Sequence, residues 1–575
     1  MDILKKQIIE LLISVGVSGN IDLTSPPKAE MGDLAFGCFG IAKEWSVSPN
    51  EAAEKIVSEF LNLKSEVIKD VKVFGPYVNF YLNTSVVAKI VLTEVAKKNF
   101  GANNLGHEKK VLIEYPSQNT HKEFHIGHLR IVAIGNTLVN LYNKSGFKMI
   151  PINYVNDFGS HVVKCLWGVL KRNKEQGIMS KLPENKQRWL GEVYAEASNY
   201  IKEYELEVRS ELDDLQKKLE AKDKSIIKLF KQTRGWSIDG FARLSQELGI
   251  KHDKIFYESD VKEKGQKIVD QLLQAGIAEV GERGAIIINL EKFGLDIALL
   301  RKSTGAGVYL TSDLALAVEK FKKYKVEESI NITGSEQEFY FKQLFKILEL
   351  NGFKNKMTHI GCGLVNLPSG KMSSRTGSVI LYEDLRDEIY AKMYEETKSR
   401  HVDWKENKIK KIVGVLTMAV LKFTMQKHEA AKLITFDMKE ATSFEGFSAP
   451  YILYVVARIN SLLRKSKINL QPRFLVSEPK INYSLLTNGA EKKLLMLMGD
   501  YNEIVIKALK NYNPSVITKY CFDLAQAFND YYNKVSILNL DDKEVIKARL
   551  VLCRAVKLVL TDALGLLTIA TVQEM

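Results

Sequence analysis

The amino-acid sequence predicts an α/β protein: a doubly wound parallel sheet carrying a helical insertion, with a small α+β domain before it and an all-α bundle after it. Three observations predict this. Short apolar runs alternate with helix-periodic segments through the middle of the chain; a densely charged helical stretch of roughly a hundred residues separates two groups of these runs; and strand signals cease from about Trp404.

Length and composition agree. A chain of 575 residues needs several cores, because single cores rarely grow beyond about 250–300 residues. Hydrophobic residues make up 46% and charged residues 26%, the balance of a folded globular protein rather than a disordered one. Lys plus Arg number 82 against 69 Asp plus Glu, a net charge of +13. That excess favours a polyanionic partner through phosphate neutralisation, although a merely basic enzyme would share it. The five cysteines, Cys38, Cys165, Cys362, Cys521 and Cys553, form no C-x-x-C pair and no even-numbered framework, which argues against a disulfide scaffold or zinc knuckle. No apolar run approaches the ~18 residues of a membrane span, and the N-terminus reads as an amphipathic helix rather than a leader. A cytoplasmic protein without membrane contact is expected.

The domains are expected at 1–100, 108–403 with the helical insertion around 165–250, and 404–575. In the first, two helical patterns surround "MGDLAFGCF" and "VKVFGPYVNFYLN", the latter a strand or hairpin interrupted at Gly75-Pro76. "KKVLIEYP" is a buried strand ending at Pro116, "KMIPINYVND" a second, and the sheet pattern returns in "GAIIINL", "GVYLTSDLALAVEKF" and "ESINITGSEQEFYFKQLFKIL". In the insertion, Ile201, Tyr204, Val208, Leu212, Leu215 and Leu219 recur at spacings of three and four, the stripe of an amphipathic helix, expected in a helical hairpin packed on the body rather than in a dimerising coiled coil of so few heptads. Long apolar-periodic segments then follow one another to the end, including "APYILYVVARINSLLRK" and "AEKKLLMLMGDYNEIVIKAL". Tyr451 and Tyr454 with Arg458, Arg464, Lys465 and Lys467 suit stacking on bases and holding phosphates; snorkelling cations around core tyrosines are the plainer alternative.

The chemistry concentrates in "IEYPSQNTHKEFHIGHLR", where a strand runs into a helix. His125 and His128, three apart, share a face of the first helical turn, and Gly127 between them admits a flat ligand to the backbone. A helix N-terminus attracts phosphate, and imidazoles can donate to phosphate oxygens that gain charge in a pentacoordinate transition state. His121 with these two could instead bind a metal, or all three could be satisfied surface histidines. A second basic loop, "LPSGKMSSRTGSVI", places Lys371, Ser373, Ser374 and Arg375 between glycines, a composition suited to a phosphate-gripping flap.

Together, in this order and on either side of an α/β domain, the two loops resemble the HIGH and KMSKS motifs of class I aminoacyl-tRNA synthetases. "INYVNDFGSHV", "GVYLTSDLA", "FEGFSAPYILYVVARI" and the final "ATVQEM" are similar to arginyl-tRNA synthetases, and the likeness covers essentially the whole chain. "MGDLAFGCFGIAKEW" and "FGPYVNFYLN" resemble that family's additional N-terminal, tRNA-binding domain.

The resemblance implies a Rossmann-type catalytic domain, an α-helical anticodon-binding domain, and ATP-dependent activation of L-arginine followed by transfer to tRNA(Arg). ATP enters as its Mg2+ complex, no protein-bound zinc is expected, and the chain should be a monomer. His125, Gly127, His128, Lys371 and Ser373 would bind ATP, with His125, His128, Lys122 and Lys371 catalytic. Glu114, Asn119, Glu258, Tyr309, Asp313 and Gln337 would bind arginine, Glu336 being the alternative to Gln337. Physics agrees, since a guanidinium asks for carboxylates and an aromatic face, and Tyr309 and Asp313 are four apart, on one face if helical. Tyr77, Asn79, Tyr451 and Arg458 would touch tRNA. The chain departs from the pattern at Ser374, where class I enzymes usually carry a lysine that Lys122 could replace, and at His161 of the NDxG motif, where glutamine is usual. Two rival readings are a small-metabolite nucleotidyltransferase, which has no use for the bundle, and a non-catalytic RNA-binding relative, which would not need His125, His128, Tyr309 and Asp313.

Overall fold

The computed structural model of the chain describes residues 1–60, 63, 65–177, 182–305, 307–368, 380–466 and 481–575. Its first domain is a four-stranded antiparallel sheet of β1 (Leu23–Thr24), β2 (Leu34–Gly37), β3 (Ile68–Phe74) and β4 (Tyr77–Leu82), in the order β1-β2-β4-β3. Helices α1 (Asp2–Ser14), α2 (Phe39–Trp45) and α3 (Pro49–Phe60) accompany it. The expected hairpin forms: Phe74 pairs with Tyr77 across Gly75-Pro76, and Gly75 takes φ 58°, which a side chain would oppose. Helix α4 (Thr84–Val95) leads to the central domain.

There the strands β5 (Lys110–Glu114), β6 (Lys148–Val155) and β7 (Lys254–Tyr257) run in one direction across half of a five-stranded parallel sheet. The chain then returns to pair β11 (Glu328–Gly334) with β5 and β12 (Lys356–Cys362) with β11, giving the order β12-β11-β5-β6-β7. The winding reverses between β5 and β11, so the carboxyl ends of those strands open a crevice, the usual ligand site of such sheets. Helix α5 (Ile126–Lys144) crosses from β5 to β6.

Two sequence expectations are corrected here. "GAIIINL" is not part of the parallel sheet: β9 (Ile286–Asn289) lies between β8 (Glu279–Val280) and β10 (Ile297–Arg301) in a separate antiparallel sheet. "GVYLTSDLALAVEKF" is helical, forming α11 (Tyr309–Tyr324). A short apolar run suits a buried strand in any sheet, and only its partner decides which. The insertion consists of α6 (Ser160–Gln176), α7 (Lys186–Glu203), α8 (Glu205–Glu220) and α9 (Lys224–Leu248), and the apolar stripe crosses from α7 to α8 over a break at Tyr204. Val208, Leu215 and Leu219 keep their stripe and are buried. Between insertion and small sheet lies α10 (Glu258–Gln274), and α12 (Glu338–Leu350) follows β11.

Helices α13 (Tyr382–Arg400) and α14 (Glu406–Gln426) lead into the bundle, with the short parallel pair β13 (Val365–Asn366) and β14 (Ile434–Thr435) and the single turn α15 (Met438–Ala441) beside them. The bundle holds α16 (Ala449–Lys465), α17 (Gly489–Gly499), α18 (Tyr501–Lys510), α19 (Ser515–Lys534) and α20 (Lys543–Leu566); the segment read as one helix through 490–509 is broken at Asp500. It docks on α5 through Asn140, which donates to Leu566 O (3.1 Å), and through the Lys144–Asp562 ion pair (2.7 Å). The N-terminal domain is fastened to the bundle by Lys492, which meets Asp33 (2.6 Å) and Leu82 O (2.9 Å). Among the described residues no helix is long and apolar enough to cross a membrane.

Candidate active site

At the carboxyl end of β5 the two histidines cap the helix they open. His125, extended at φ −111° and ψ 170°, is the N-cap of α5; its Nδ1 accepts from Gly127 N–H (3.1 Å), and His128 Nδ1 accepts from His125 N–H (3.3 Å). With both Nδ1 atoms accepting, each ring carries its proton on Nε2, a neutral donor. Burial pushes His125 down to about 4, helped by Lys122, and His128 well below its ordinary value. The rings stand 3.8 Å apart, centroid to centroid. Gly127 suits this packing itself, because a Cβ there would lie 3.0 Å from the His125 ring and push it out of place.

His121 serves differently. It is fully buried, with Nδ1 on Thr120 Oγ1 and Nε2 on Thr233 Oγ1 (both 2.9 Å), while its backbone N–H donates to Ser237 Oγ (2.9 Å). Both ring nitrogens are used, and burial holds the group near 3. It ties the loop to α9. Among the described residues no three His, Cys, Asp or Glu side chains are arranged to hold a metal ion. Lys122 lies 5.0 Å over the Tyr194 ring, and its charge helps depress His125, His128 and His161. His161 is buried, bonded to Asn156 O at 3.2 Å. Lys371, Ser373, Ser374 and Arg375 lie outside the described residues, but the backbone that follows is fastened to the histidine turn: Ile126 N–H donates to Ile380 O (2.9 Å) and Tyr382 N–H to Phe124 O (3.1 Å).

Across the crevice is an acidic pocket. Tyr309 and Asp313 stand on the first turns of α11, where a separation of four puts them on one face, and Glu258 is the first residue of α10. Tyr309 is half exposed, with its hydroxyl reaching over Gly159 of the NDxG turn. Burial raises Asp313 to about 7, against the Tyr340 hydroxyl that donates to it. Glu258 is raised to about 8 by burial and then by Asp313 and Asp157; its Oε2 finds no hydrogen-bond partner among the described residues. Glu114, at the end of β5, is already matched by Lys320 at 2.6 Å in a pair less than a tenth exposed. Two carboxyls that form no ion pair among the described residues thus lie near an exposed aromatic ring, an arrangement that a guanidinium would complete. Asn119 is half-buried beside Asn156 through a backbone bridge. Gln337 is exposed as the N-cap of α12, whereas Glu336 folds back over Gly334.

The sequence reading missed Lys320, Tyr340 and Arg234. Lys320 was findable, seven residues after Asp313 on the same helical face. Tyr340 and Arg234 are brought in by separate elements and carry no local signal.

The residues expected at RNA divide. Tyr77 is exposed, edge-on to Phe39 at 5.6 Å. Asn79 is corrected: it is 1% exposed and donates to Met31 O (2.6 Å), so it braces the domain and has no open face. Alternation along β4 puts it on the face of Tyr77 and Tyr81, opposite the core residues Val78, Phe80 and Leu82, and it is buried there because the 31–33 turn covers it and supplies an acceptor. In the bundle, Arg458 donates to Asn529 Oδ1 (2.6 Å) and lies 4.7 Å over Tyr454 and 4.8 Å over Tyr532. Tyr451 accepts from Asn529 Nδ2 (2.9 Å). Arg458, Tyr454, Trp404, Arg464 and Lys465 line a cavity of about 810 Å³.

Comparison with known proteins agrees along the whole length. Residues 2–82 match the model of the arginyl tRNA synthetase N terminal domain, 89–437 that of the class I (R) tRNA synthetase catalytic domain, and 452–575 that of the DALR anticodon binding domain. The arginine–tRNA ligase of Treponema denticola is 32% identical over 572 residues, covering 96% of this chain and 95% of its own. That of Clostridium botulinum strain Alaska E43 is 34% identical over 591 residues, covering 99% and 100%. The fold is that of Thermus thermophilus arginyl-tRNA synthetase, with a TM-score of 0.81 at 22% identity over 100% of both chains. The Plasmodium falciparum arginyl-tRNA synthetase follows at 0.78 and 20% over 99% of both. With a capped histidine turn, an acidic pocket opposite it, and matches that run from the N-terminal sheet to the last helix, this chain belongs to the arginyl-tRNA synthetases of class I.

Proposed function

We propose that the histidine turn and the acidic pocket divide the arginine–tRNA ligase reaction between them. The enzyme activates L-arginine with ATP to arginyl-adenylate and transfers the arginyl group to the terminal ribose of tRNA(Arg). Tyr309 offers its face, and Asp313 and Glu258 their charges, to the guanidinium; Asn119 and Glu114 take the substrate's polar end and Gln337 closes the pocket. The arginine carboxylate then attacks the α-phosphorus. His125 and His128 donate from Nε2 to the equatorial oxygens, neutral donors already in place as charge develops. ATP arrives as its magnesium complex, with Lys122 and Lys371 neutralising the departing pyrophosphate. The 2′-hydroxyl of the tRNA attacks the adenylate in the second step, and tRNA must be bound before the first. The bundle cavity around Arg458 and Tyr451 takes the anticodon, and Tyr77 the outer corner of the tRNA. The enzyme works as a cytoplasmic monomer.

The observation that carries this assignment is a pair of desolvated carboxyls, the partly buried Asp313 and the buried Glu258, near an exposed tyrosine and across the crevice from two hydrogen-bond-donating imidazoles. Arginine-dependent ATP–pyrophosphate exchange, measured with and without tRNA, tests it. Exchange is expected only with tRNA and is lost in Asp313→Ala. Exchange by that variant with an unchanged arginine KM would remove the pocket from arginine recognition, and exchange without tRNA would remove the gating.

A further inference from the structure

The insertion helix α9 passes behind both halves of the site. Thr233 and Ser237 on it hold His121 of the histidine loop, and the neighbouring Arg234 reaches the other half. Arg234 Nε donates to Asp157 Oδ2 at 2.6 Å, and its guanidinium lies 4.2 Å over the ring of Tyr257.

Asp157 is fully buried two residues beyond β6. Its Oδ1 accepts from Ser259 N–H (2.9 Å) and its Oδ2 from Ser259 Oγ (2.8 Å) as well as from Arg234. Ser259 is the second residue of α10, so this carboxylate acts as an N-terminal cap supplied from a different strand. Glu258 stands between the two gripped neighbours: Tyr257 under the guanidinium on one side, Ser259 against the carboxylate on the other. Its own Oε2 is buried and without a hydrogen-bond partner among the described residues, close enough to Asp313 to feel its charge and to Tyr309 to exert its own. A cap alone could be neutral, since an asparagine side-chain oxygen would take the Ser259 N–H equally well. A further acid this close to Glu258 adds repulsion, which the ion pair with Arg234 offsets.

We propose that Asp157 and Arg234 form a positioning clamp for arginine recognition, through which the helical insertion sets the depth of Glu258 in the pocket. The proposal rests on Glu258 being an arginine ligand. Neither clamp residue touches the substrate; both act through the first turn of α10. The insertion is therefore a working part of amino-acid selection, not only a scaffold for the loop that carries the histidines.

Steady-state aminoacylation by the full-length enzyme decides it, with separate KM values for arginine and ATP and thermal melting of each variant. Arg234→Met and Asp157→Asn are expected to raise the arginine KM about 10- to 100-fold, as loss of an orienting partner or a small misplacement does elsewhere, with the ATP KM within about twofold. Arg234→Lys should restore part of the loss, and Ser259→Ala, which keeps the backbone bond, should show a smaller rise. If Asp157→Asn fails to fold, Arg234→Lys and Ser259→Ala still report. The decisive readout is non-additivity: in a Glu258→Gln background, Arg234→Met should raise the arginine KM no further. Equal rises in both KM values, or a further rise in that background, would overturn the clamp. If Glu258→Gln raises the arginine KM and the clamp variants do not, the clamp alone is wrong; if Glu258→Gln leaves it unchanged, the assignment of Glu258 falls and the clamp with it.

Discussion

At the scale of the residue, the protonation states of the site follow from what each group is denied. His125 and His128 lose water and gain backbone donors at Nδ1, so they are neutral throughout the working range. Glu258 and Asp313 lose water and face each other, so they hold protons up to about 8 and about 7 in the free enzyme. A guanidinium pairs only with the ionised forms. Below their raised values a proton must leave before arginine binds, and each pH unit then costs about 1.4 kcal/mol per group. The arginine KM is therefore expected to fall as pH rises from about 6 and to level off above about 8, while the ATP KM stays flat there because His125 titrates far lower. Calorimetry in buffers of different ionisation enthalpy should register proton release on binding. Asp313→Ala, which removes one partner of a buried charge pair, should cost about 2–5 kcal/mol in kcat/KM for arginine. The residues themselves were largely legible in the sequence because their spacing matched a helix turn; their protonation was not, since burial is contributed by distant segments.

At the scale of the element, close approach of helices places the pocket. On α10, Gly265 packs against α11 so tightly that a Cβ would lie 2.3 Å from the carbonyl oxygen of Thr311, between Tyr309 and Asp313. Gly265→Ala must push apart the two helices that carry Glu258 and Asp313. The expected result is a loss of about 1–3 kcal/mol in stability, read by melting, together with a higher arginine KM. A second brace is Arg130 on α5, fully buried, donating to Gly363 O (2.7 Å) and Glu429 O (2.9 Å). Arg130→Ala strands these buried acceptors and opens a cavity, so it should lower stability by about 2–5 kcal/mol without a direct effect on arginine binding. The sequence showed α5 through its periodicity, yet it placed the α11 segment among the strands, ran one stripe through α7 and α8 and assigned β9 to the wrong sheet. Apolar spacing is continuous across the break at Tyr204, and a strand's partner leaves no mark on the strand itself.

At the scale of the molecule, three domains share one problem: holding a long polyanion at both ends while two small substrates meet. The bundle is seated on the helix of the histidines through Asn140 and the Lys144–Asp562 pair, and the N-terminal domain on the bundle through Lys492. A net charge of +13 favours such a polyanion. The KM for tRNA should accordingly rise about tenfold or more between roughly 50 and 200 mM salt, whereas the arginine KM, set inside a buried pocket, should change little. A tRNA KM insensitive to salt would assign recognition to apolar and base contacts instead.

The sequence by itself determined the order of the domains, the doubly wound sheet and the family, and nominated the carboxylates and tyrosine of the proposed pocket, because these depend on local periodicity and on motifs contiguous in the chain. Tertiary structure alone decided that Glu114 is matched by Lys320, that His121 and Asn79 are braces, and that Asp157 and Arg234 grip the turn of Glu258. Those facts depend on which segments 50 to 200 residues apart share a buried space, and buried electrostatics is set by every neighbour in that space, of which the local sequence supplies only a few.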